Sequence, residues 1–112
     1  MYIILCKDLS KAGWSQGSII AQACHGVSKA LNEFKNNTCT QAYLQNINTM
    51  TKVVLQVDNQ DKLLKLKQDL DDNKIQHISW TEQPENIMTC LVTRPYEADQ
   101  VKKYFRKCSL YK

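Results

Sequence analysis

The sequence has no long hydrophobic run. Its longest apolar stretch, which includes residues 2–6, contains six residues, far fewer than the ~20 that a membrane-spanning helix requires. No basic segment followed by an apolar core and a small-residue cleavage site opens the chain. We therefore expect a cytoplasmic protein that does not associate with membranes.

Disulfide and metal motifs are also missing. The five cysteines are odd in number, none forms a CxxC pair, and the chain has only two histidines. Cys6, Cys24 and Cys90 lie in apolar segments, where a thiol usually packs as a small hydrophobic group. The sequence therefore predicts reduced cysteines, with neither a disulfide framework nor a zinc site.

Nucleotide-binding motifs and internal divisions are absent as well. The chain contains no GxGxxG, and the loop GWSQGS at 13–18 lacks the spacing and the lysine of a Walker loop. No repeat, linker or low-complexity tract interrupts the 112 residues, of which 43% are apolar and 23% charged. This composition predicts a single globular domain over residues 1–112.

Positive charge is concentrated at the end of the chain. The net charge is +4, and residues 96–112 carry five cations against two carboxylates, a surplus of three. A basic amphipathic helix is often only a solvated surface, but such a surplus also suits contact with a polyanion such as nucleic acid. Both interpretations remain open from composition alone.

Hydrophobic patterning predicts an α/β fold. Apolar and β-branched runs indicate strands at 2–6, 52–57, 75–80 and 86–92. Helical spacing indicates helices at about 16–35, 58–73 and 96–108, with a shorter helix within 36–47. Ser15 or Ser18 can cap the first of these helices, and Thr38 or Thr40 the short one.

The connections predict how the strands run. Helices separate the first three strands, which should therefore be parallel, whereas about six residues between the third and fourth allow only a hairpin. We predict a small mixed four-stranded sheet, with three parallel strands and an antiparallel last strand, and with helices on both faces. Such sheets bind ligands beyond the carboxyl ends of their parallel strands.

A stripe of polar side chains follows the predicted helix 16–35. Ser18, Gln22 and His25 are spaced by four and three residues, which places them on one face of a helix. The stripe is either a solvated surface or the wall of a site, and a lone histidine is more often structural than a general base. Cys24 and His25 point about 100° apart on a helix, which argues against a Cys–His nucleophilic pair.

A second polar group follows the third predicted strand. Trp80, Thr81, Glu82 and Gln83 are consecutive there. Trp80 is either a core residue or a stacking surface, and Glu82 is a carboxylate at the predicted ligand-binding edge. The residues alone do not decide between these interpretations.

Together these segments resemble the type II (archaeal and eukaryotic) peptidyl-tRNA hydrolase family. The resemblance rests on the first strand followed by Asp8-Leu9, the AQxxH pattern of Ala21, Gln22 and His25, and the segments KVVL and TCLVTRP. The segment WTEQPENIMTC is similar to the eukaryotic subgroup of peptidyl-tRNA hydrolase domain-containing proteins. The resemblance implies a mixed four-stranded sheet, cleavage of the ester that joins a peptide to the terminal ribose of tRNA, no metal or organic cofactor, and a homodimer as the common assembly.

Two departures from the family pattern bear on catalysis. Most members open the AQxxH helix with Gly-Lys, where this chain has Gly17-Ser18 and so lacks the lysine. Most also carry an Asp-Ala-Gly-x-Thr-Gln turn after the third strand; here Thr81 can match the threonine, but the aspartate has no clear counterpart. The alternative function is a module that binds tRNA without cleaving it, and a third is an adaptor unrelated to RNA.

The resemblance and the residues present imply the following assignments. We expect Asp8, His25 or Glu82 to orient or deprotonate the attacking water, and Gln22 and Ser18 to donate to the oxyanion. The full catalytic set is Asp8, Ser18, Gln22, His25, Thr81 and Glu82. The tRNA-binding set is Lys7, Lys11, Trp14, Lys103 and Lys107. Lys11 would replace the missing lysine, and Lys103 and Lys107 would share one helix face, with Lys102 and Arg106 as the alternative row.

Overall fold

A five-stranded mixed sheet forms the centre of the protein in the computed structural model, which describes residues 1–112. Its strands are β1 (Tyr2–Cys6), β2 (Val53–Val57), β3 (His77–Glu82), β4 (Ile87–Thr93) and β5 (Ser109–Leu110). Five α-helices accompany them: α1 (Asp8–Lys11), α2 (Gln16–Glu33), α3 (Thr38–Gln45), α4 (Gln60–Asp72) and α5 (Ala98–Val101). The α/β class is as predicted.

The sheet has the order β3-β4-β1-β2-β5, which corrects the predicted topology. β4 lies between β3 and β1 and is antiparallel to both, so β1 and β2 form the only parallel pair, although β3 runs in the same direction as β1. β5 is an additional strand, antiparallel to β2. The predicted directions are confirmed, since β1, β2 and β3 run one way and β4 the other, but the predicted number of four strands is wrong. The order of the strands was not predicted, because connection lengths constrain a strand's direction but not its neighbour. The hairpin between β3 and β4 is confirmed.

The two long helices, α2 and α4, agree with the prediction from the sequence, but the predicted C-terminal helix does not. α2 and α4 confirm the helices predicted at 16–35 and 58–73, and the Ser15 side chain caps α2 by accepting from the Ser18 amide at 3.1 Å. The predicted helix 96–108 is wrong: the four-residue α5 continues as a 3₁₀ helix, Lys102–Phe105, before the chain turns into β5. No helix of the protein combines the length and the apolar character needed to cross a membrane.

The core lies on both faces of the sheet. Leu63, Leu66 and Leu70 of α4 are buried at helical spacing, and α2 buries Ile19 and Ala30. Glycine is required at position 26, since a Cβ there would lie 2.5 Å from Val92 Cγ2 of β4 and 2.9 Å from Cys90 Sγ. This close approach sets the height of α2 above the sheet.

All five cysteines are free, but they differ in burial. Cys6 and Cys90 are buried, and desolvation raises the pKa of each thiol to about 12. Cys24 is exposed, so it does not pack as the small hydrophobic group that its apolar segment predicts.

Asn37, rather than Thr38 or Thr40, caps α3. Its Oδ1 accepts hydrogen bonds from the backbone amides of Cys39 and Thr40, at 2.9 and 3.3 Å. We expect Asn37→Ala to lower the free energy of unfolding by about 1 kcal/mol, because two amides at the helix start lose their acceptor. Urea denaturation measures this loss, with the exposed Thr38→Ala as the matched control, expected within about 0.5 kcal/mol of wild type. Equal losses in the two variants would contradict the assignment of the cap.

Candidate active site

A cluster of polar side chains lies where β3 ends and β4 begins. α2 packs against both strands and contributes Gln22 and His25, while β3 contributes Trp80 and Glu82. The carboxyl end of β1, which leads into α1, is next to β4 in the sheet. The cluster therefore occupies the sheet edge at which the sequence predicts ligand binding.

Gln22 is the centre of this cluster. Its side chain is only 1% exposed. Gln22 Nε2 donates to Glu82 Oε2 at 2.7 Å, and Gln22 Oε1 accepts from the Thr89 hydroxyl at 2.8 Å. A buried carboxamide needs partners at both ends, so these two bonds fix the orientation of the amide and hold the Glu82 carboxylate.

An irregularity of β4 brings Thr89 into the cluster. Trp80 pairs with Cys90 and Thr81 with Met88, which leaves Thr89 without a partner on β3. Successive residues of a regular strand face opposite sides of the sheet, yet the Thr89 hydroxyl and the Cys90 Sγ both reach Gln22. The bulge therefore turns two neighbouring residues towards α2, as bulges beside active sites often do.

Thr89 was not predicted from the sequence, which pointed to Thr81. Thr81 is exposed and forms no hydrogen bond with Gln22 or Glu82. The available signal was the first threonine of TCLVTRP, which carried the family resemblance but was assigned no role.

The Glu82 carboxyl group has a pKa below its ordinary value. The largest cause is the hydrogen bond from Gln22, opposed by desolvation and supported by the backbone N–H of Gln83, 3.3 Å from Glu82 Oε1. The indole N–H of Trp80 is buried and has no well-aligned hydrogen-bond partner, but it lies near enough to lower this pKa further. Glu82 is therefore ionised at neutral pH.

His25 stacks on Trp80 beside this carboxylate. The two ring centroids are 4.8 Å apart and the rings are inclined by 30°. His25 is exposed and its nitrogens make no hydrogen bond within the protein, while Trp80 is half-buried and packs against the core. Trp80 thus combines the two interpretations left open by the sequence, because it belongs to the core and also supports a side chain of the cluster.

Two other predicted catalytic residues lie outside these contacts. Ser18 is exposed, one turn before Gln22, and its hydroxyl accepts a hydrogen bond from the Ser15 hydroxyl at 2.9 Å. Asp8 is the first residue of α1; it forms no hydrogen bond with Gln22 or Glu82, but its charge contributes to the raised pKa of Cys6.

The predicted tRNA-binding residues occupy three places. Lys7 and Lys11 follow β1 and are exposed. The pKa of the Asp58 carboxyl group, just after β2, is lowered mainly by the hydrogen bond from Lys62, and Lys7 and Lys11 lie near enough to lower it slightly further. Trp14 is half-buried against the core. Lys103 and Lys107 line one groove beside α4, although the single helix expected to hold both does not exist.

The cluster offers groups suited to acting on water. A fixed, ionised carboxylate can orient a water molecule and accept its proton, and a neighbouring imidazole can transfer a proton to a leaving group. No group of three or more His, Cys, Asp or Glu side chains is arranged to hold a metal ion.

Comparisons with known proteins agree with these observations. Residues 1–111 match the family described as "Peptidyl-tRNA hydrolase PTH2". A human and a mouse protein, each named "Putative peptidyl-tRNA hydrolase PTRHD1", are 42% identical to this chain over 113 aligned positions. Each alignment spans 99% of this chain and 81% of the relative.

Proposed function

Since the chain belongs to the peptidyl-tRNA hydrolase PTH2 family, we propose that it hydrolyses the ester between a peptide and the 3′ ribose of tRNA. The observation that carries this proposal is the buried Gln22 holding an ionised Glu82 at the carboxyl edge of the sheet, with His25 alongside. The family implies the substrate, and the cluster supplies groups for the chemistry.

Glu82 orients the attacking water and accepts its proton as the water adds to the ester carbonyl. A carboxylate with a lowered pKa is a weak base, but an ester is a reactive substrate for which positioning supplies much of the acceleration. Gln22 and Thr89 are positioning residues, because they act on the reaction through the carboxylate that they hold.

His25 protonates the 3′ oxygen of the leaving ribose. Its exposed imidazole lies three residues, or about 4.5 Å along the helix axis, from Gln22, on the side of α2 that faces Trp80. The free amides of Gln16 and Gly17 at the start of α2, which have no partner within the helix, stabilise the oxyanion together with the Ser18 hydroxyl. The catalytic roles of Asp8 and Thr81 stay predictions.

Lys7 and Lys11 hold the phosphates nearest the ester. Both follow β1, the strand next to β4, so their charges lie along the edge that carries Glu82. Lys11 takes the place of the lysine that most members carry at the helix start. The exposed part of Trp14 borders the same loop and contacts the substrate.

A tRNA-binding module without catalysis is the second candidate. It is favoured by Ser18, which stands at the position of the family's lysine and is hydrogen-bonded to Ser15. Incubating the protein with purified N-blocked aminoacyl-tRNA separates the two functions. Release of the blocked amino acid supports the hydrolase, and binding without release supports the module. The absence of both binding and release would contradict both functions.

The lowered pKa of Glu82 predicts the acid side of the pH–rate profile. Because the hydrogen bond from Gln22 favours the charged form, the carboxylate persists as pH falls and is lost only through its lowered pKa. We expect kcat/KM for N-blocked aminoacyl-tRNA to stay level until pH drops below the ordinary glutamate pKa of about 4.3. Gln22→Leu should move this acid limb upward. If the acid limb of the wild-type pH–rate profile lay above the ordinary glutamate pKa, the role of Glu82 would be contradicted.

A further inference from the structure

A basic groove lies at some distance from the polar cluster. It opens between α4 and the segment after α5, at the carboxyl end of β2, with a volume of about 640 Å³. Its charged lining consists of Lys62, Lys65, Lys103, Arg106, Lys107, Asp58 and Asp69. The formal charges of these side chains sum to +3, whereas the net charge of the whole chain is +4. One groove therefore concentrates a charge close to that of the entire protein.

Most of these cations lack a partner within the protein. Lys62 pairs with Asp58 at 2.8 Å, but Lys65, Arg106 and Lys107 take part in no ion pair and no side-chain hydrogen bond, and Lys103 only approaches the Tyr104 ring, at 5.3 Å. Like charges gathered in a cleft repel one another and raise the local concentration of anions. A bound polyanion would offset this repulsion.

The groove and the polar cluster share one edge of the sheet. In the order β3-β4-β1-β2-β5, Glu82 ends β3, Lys7 follows β1, and Asp58 follows β2 at the rim of the groove. Three strand spacings separate β3 from β2, about 14 Å. Lys7 follows β1, between the two places in this order, and the charges of Lys7 and Lys11 add to the larger effect of Lys62 in lowering the pKa of Asp58. Lys7 therefore lies between Glu82 and the groove in the order of the strands.

We propose that this groove binds the phosphates of the RNA strand whose 3′ end reaches Glu82. The proposal rests on the proposed function for the identity of that strand. Ten of the fourteen residues lining the groove are polar or charged, which suits phosphate oxygens, the preferred partners of Arg and Lys donors. A peptide partner would require apolar pockets for its anchoring side chains. The groove makes affinity for tRNA electrostatic and independent of base sequence.

Paired charge removal tests the groove without touching the polar cluster. The test variant is Lys65→Gln/Lys107→Gln; the control, Lys35→Gln/Lys74→Gln, removes the same charge from exposed lysines that do not line the groove. Affinity for deacylated tRNA is measured from about 50 to about 200 mM salt. We expect the groove variant to reduce the slope of log affinity against log salt by about 1.4–1.8, for two lost phosphate contacts, and the control to keep the wild-type slope. Equal slopes in the two variants would overturn the proposal.

Two further measurements identify the ligand and separate this proposal from the hydrolase. Cytidine monophosphate should compete with tRNA far more weakly than a single-stranded RNA of several nucleotides. Equal competition would mean that the groove binds one isolated phosphate, and it would overturn the proposal that the groove binds an RNA strand.

The N-blocked aminoacyl ester of adenosine, too short to reach the groove, should be cleaved equally by wild type and groove variant. A slower rate in the groove variant would show that the groove acts on the chemistry and would overturn a purely RNA-binding role. Because deacylated tRNA has no ester, the binding result stands even if no cleavage occurs.

Discussion

Replacing Glu82 by glutamine lowers kcat for N-blocked aminoacyl-tRNA by about 10²- to 10⁴-fold. The substitution preserves the volume of the side chain, and its amide oxygen can still accept the hydrogen bond that Gln22 Nε2 donates at 2.7 Å. It removes the negative charge that orients water and accepts its proton. The loss should therefore appear in kcat, measured by single-turnover release of the blocked amino acid, with little change in thermal stability.

Glu85→Gln is the matched control for this experiment. Glu85 lies in the turn that follows β3, is exposed, and forms no ion pair or side-chain hydrogen bond. It changes the net charge equally, so its kcat should stay within about twofold of wild type. Comparable losses in both variants would point to a general charge effect and would remove Glu82 from the reaction.

Glutamine at position 22 is a less direct target, although its spacing with His25 first suggested the site. Gln22→Ala would leave the Thr89 hydroxyl without its acceptor in a buried place, at a cost of about 1–3 kcal/mol of stability. Because Gln22 is only 1% exposed, we expect this substitution to destabilise the fold. Its effect on rate would mix chemistry with packing.

Gly26→Ala should lower the free energy of unfolding by about 1–3 kcal/mol. The added Cβ would lie 2.5 Å from Val92 Cγ2 and 2.9 Å from Cys90 Sγ. Val92 is fully buried and stiff at χ1, so α2 has to move away from the sheet. That movement separates Gln22, one turn earlier, from Glu82 and Thr89, and we expect kcat to fall as well. Urea denaturation measures the first effect and single-turnover hydrolysis the second.

Gly17→Ala provides the control on the same helix. A Cβ at Gly17 meets no atom within 4 Å, so the reduced freedom of the unfolded chain should stabilise the protein by about 0.4–1 kcal/mol. Opposite signs for the two glycines are the expected result. Stabilisation by Gly26→Ala would contradict the close packing of α2 on β4.

The helices and strand directions were predictable because they depend on local spacing. The leucines of α4 recur at helical intervals, and the turn at 83–86 is too short for anything but a hairpin. The position of β4 between β3 and β1 was not predictable, since hydrophobic patterns do not state which strands pair. β5 has two exposed residues, too few for any periodicity, and it becomes a strand only because β2 offers an edge.

Most residues of the candidate site were predictable from the sequence, but the contacts between them were not. Gln22 and Glu82 each drew attention locally, but sixty residues separate them, and only the packing of α2 on β3 brings them to 2.7 Å. Thr89 was missed because the β-bulge that turns it towards α2 depends on strand register. Lys103 and Lys107 were paired on a helix that does not form, yet both line the basic groove.

Hydrolysis of purified N-blocked aminoacyl-tRNA in water enriched in heavy oxygen tests the central claim most directly. If the protein directs water onto the ester carbonyl, the released acid carries the heavy isotope, and the tRNA is recovered intact with an unlabelled 3′ hydroxyl. Release should follow enzyme concentration and disappear in Glu82→Gln. An ester that persists as long with the protein as in buffer alone, while the tRNA remains bound, would contradict the account.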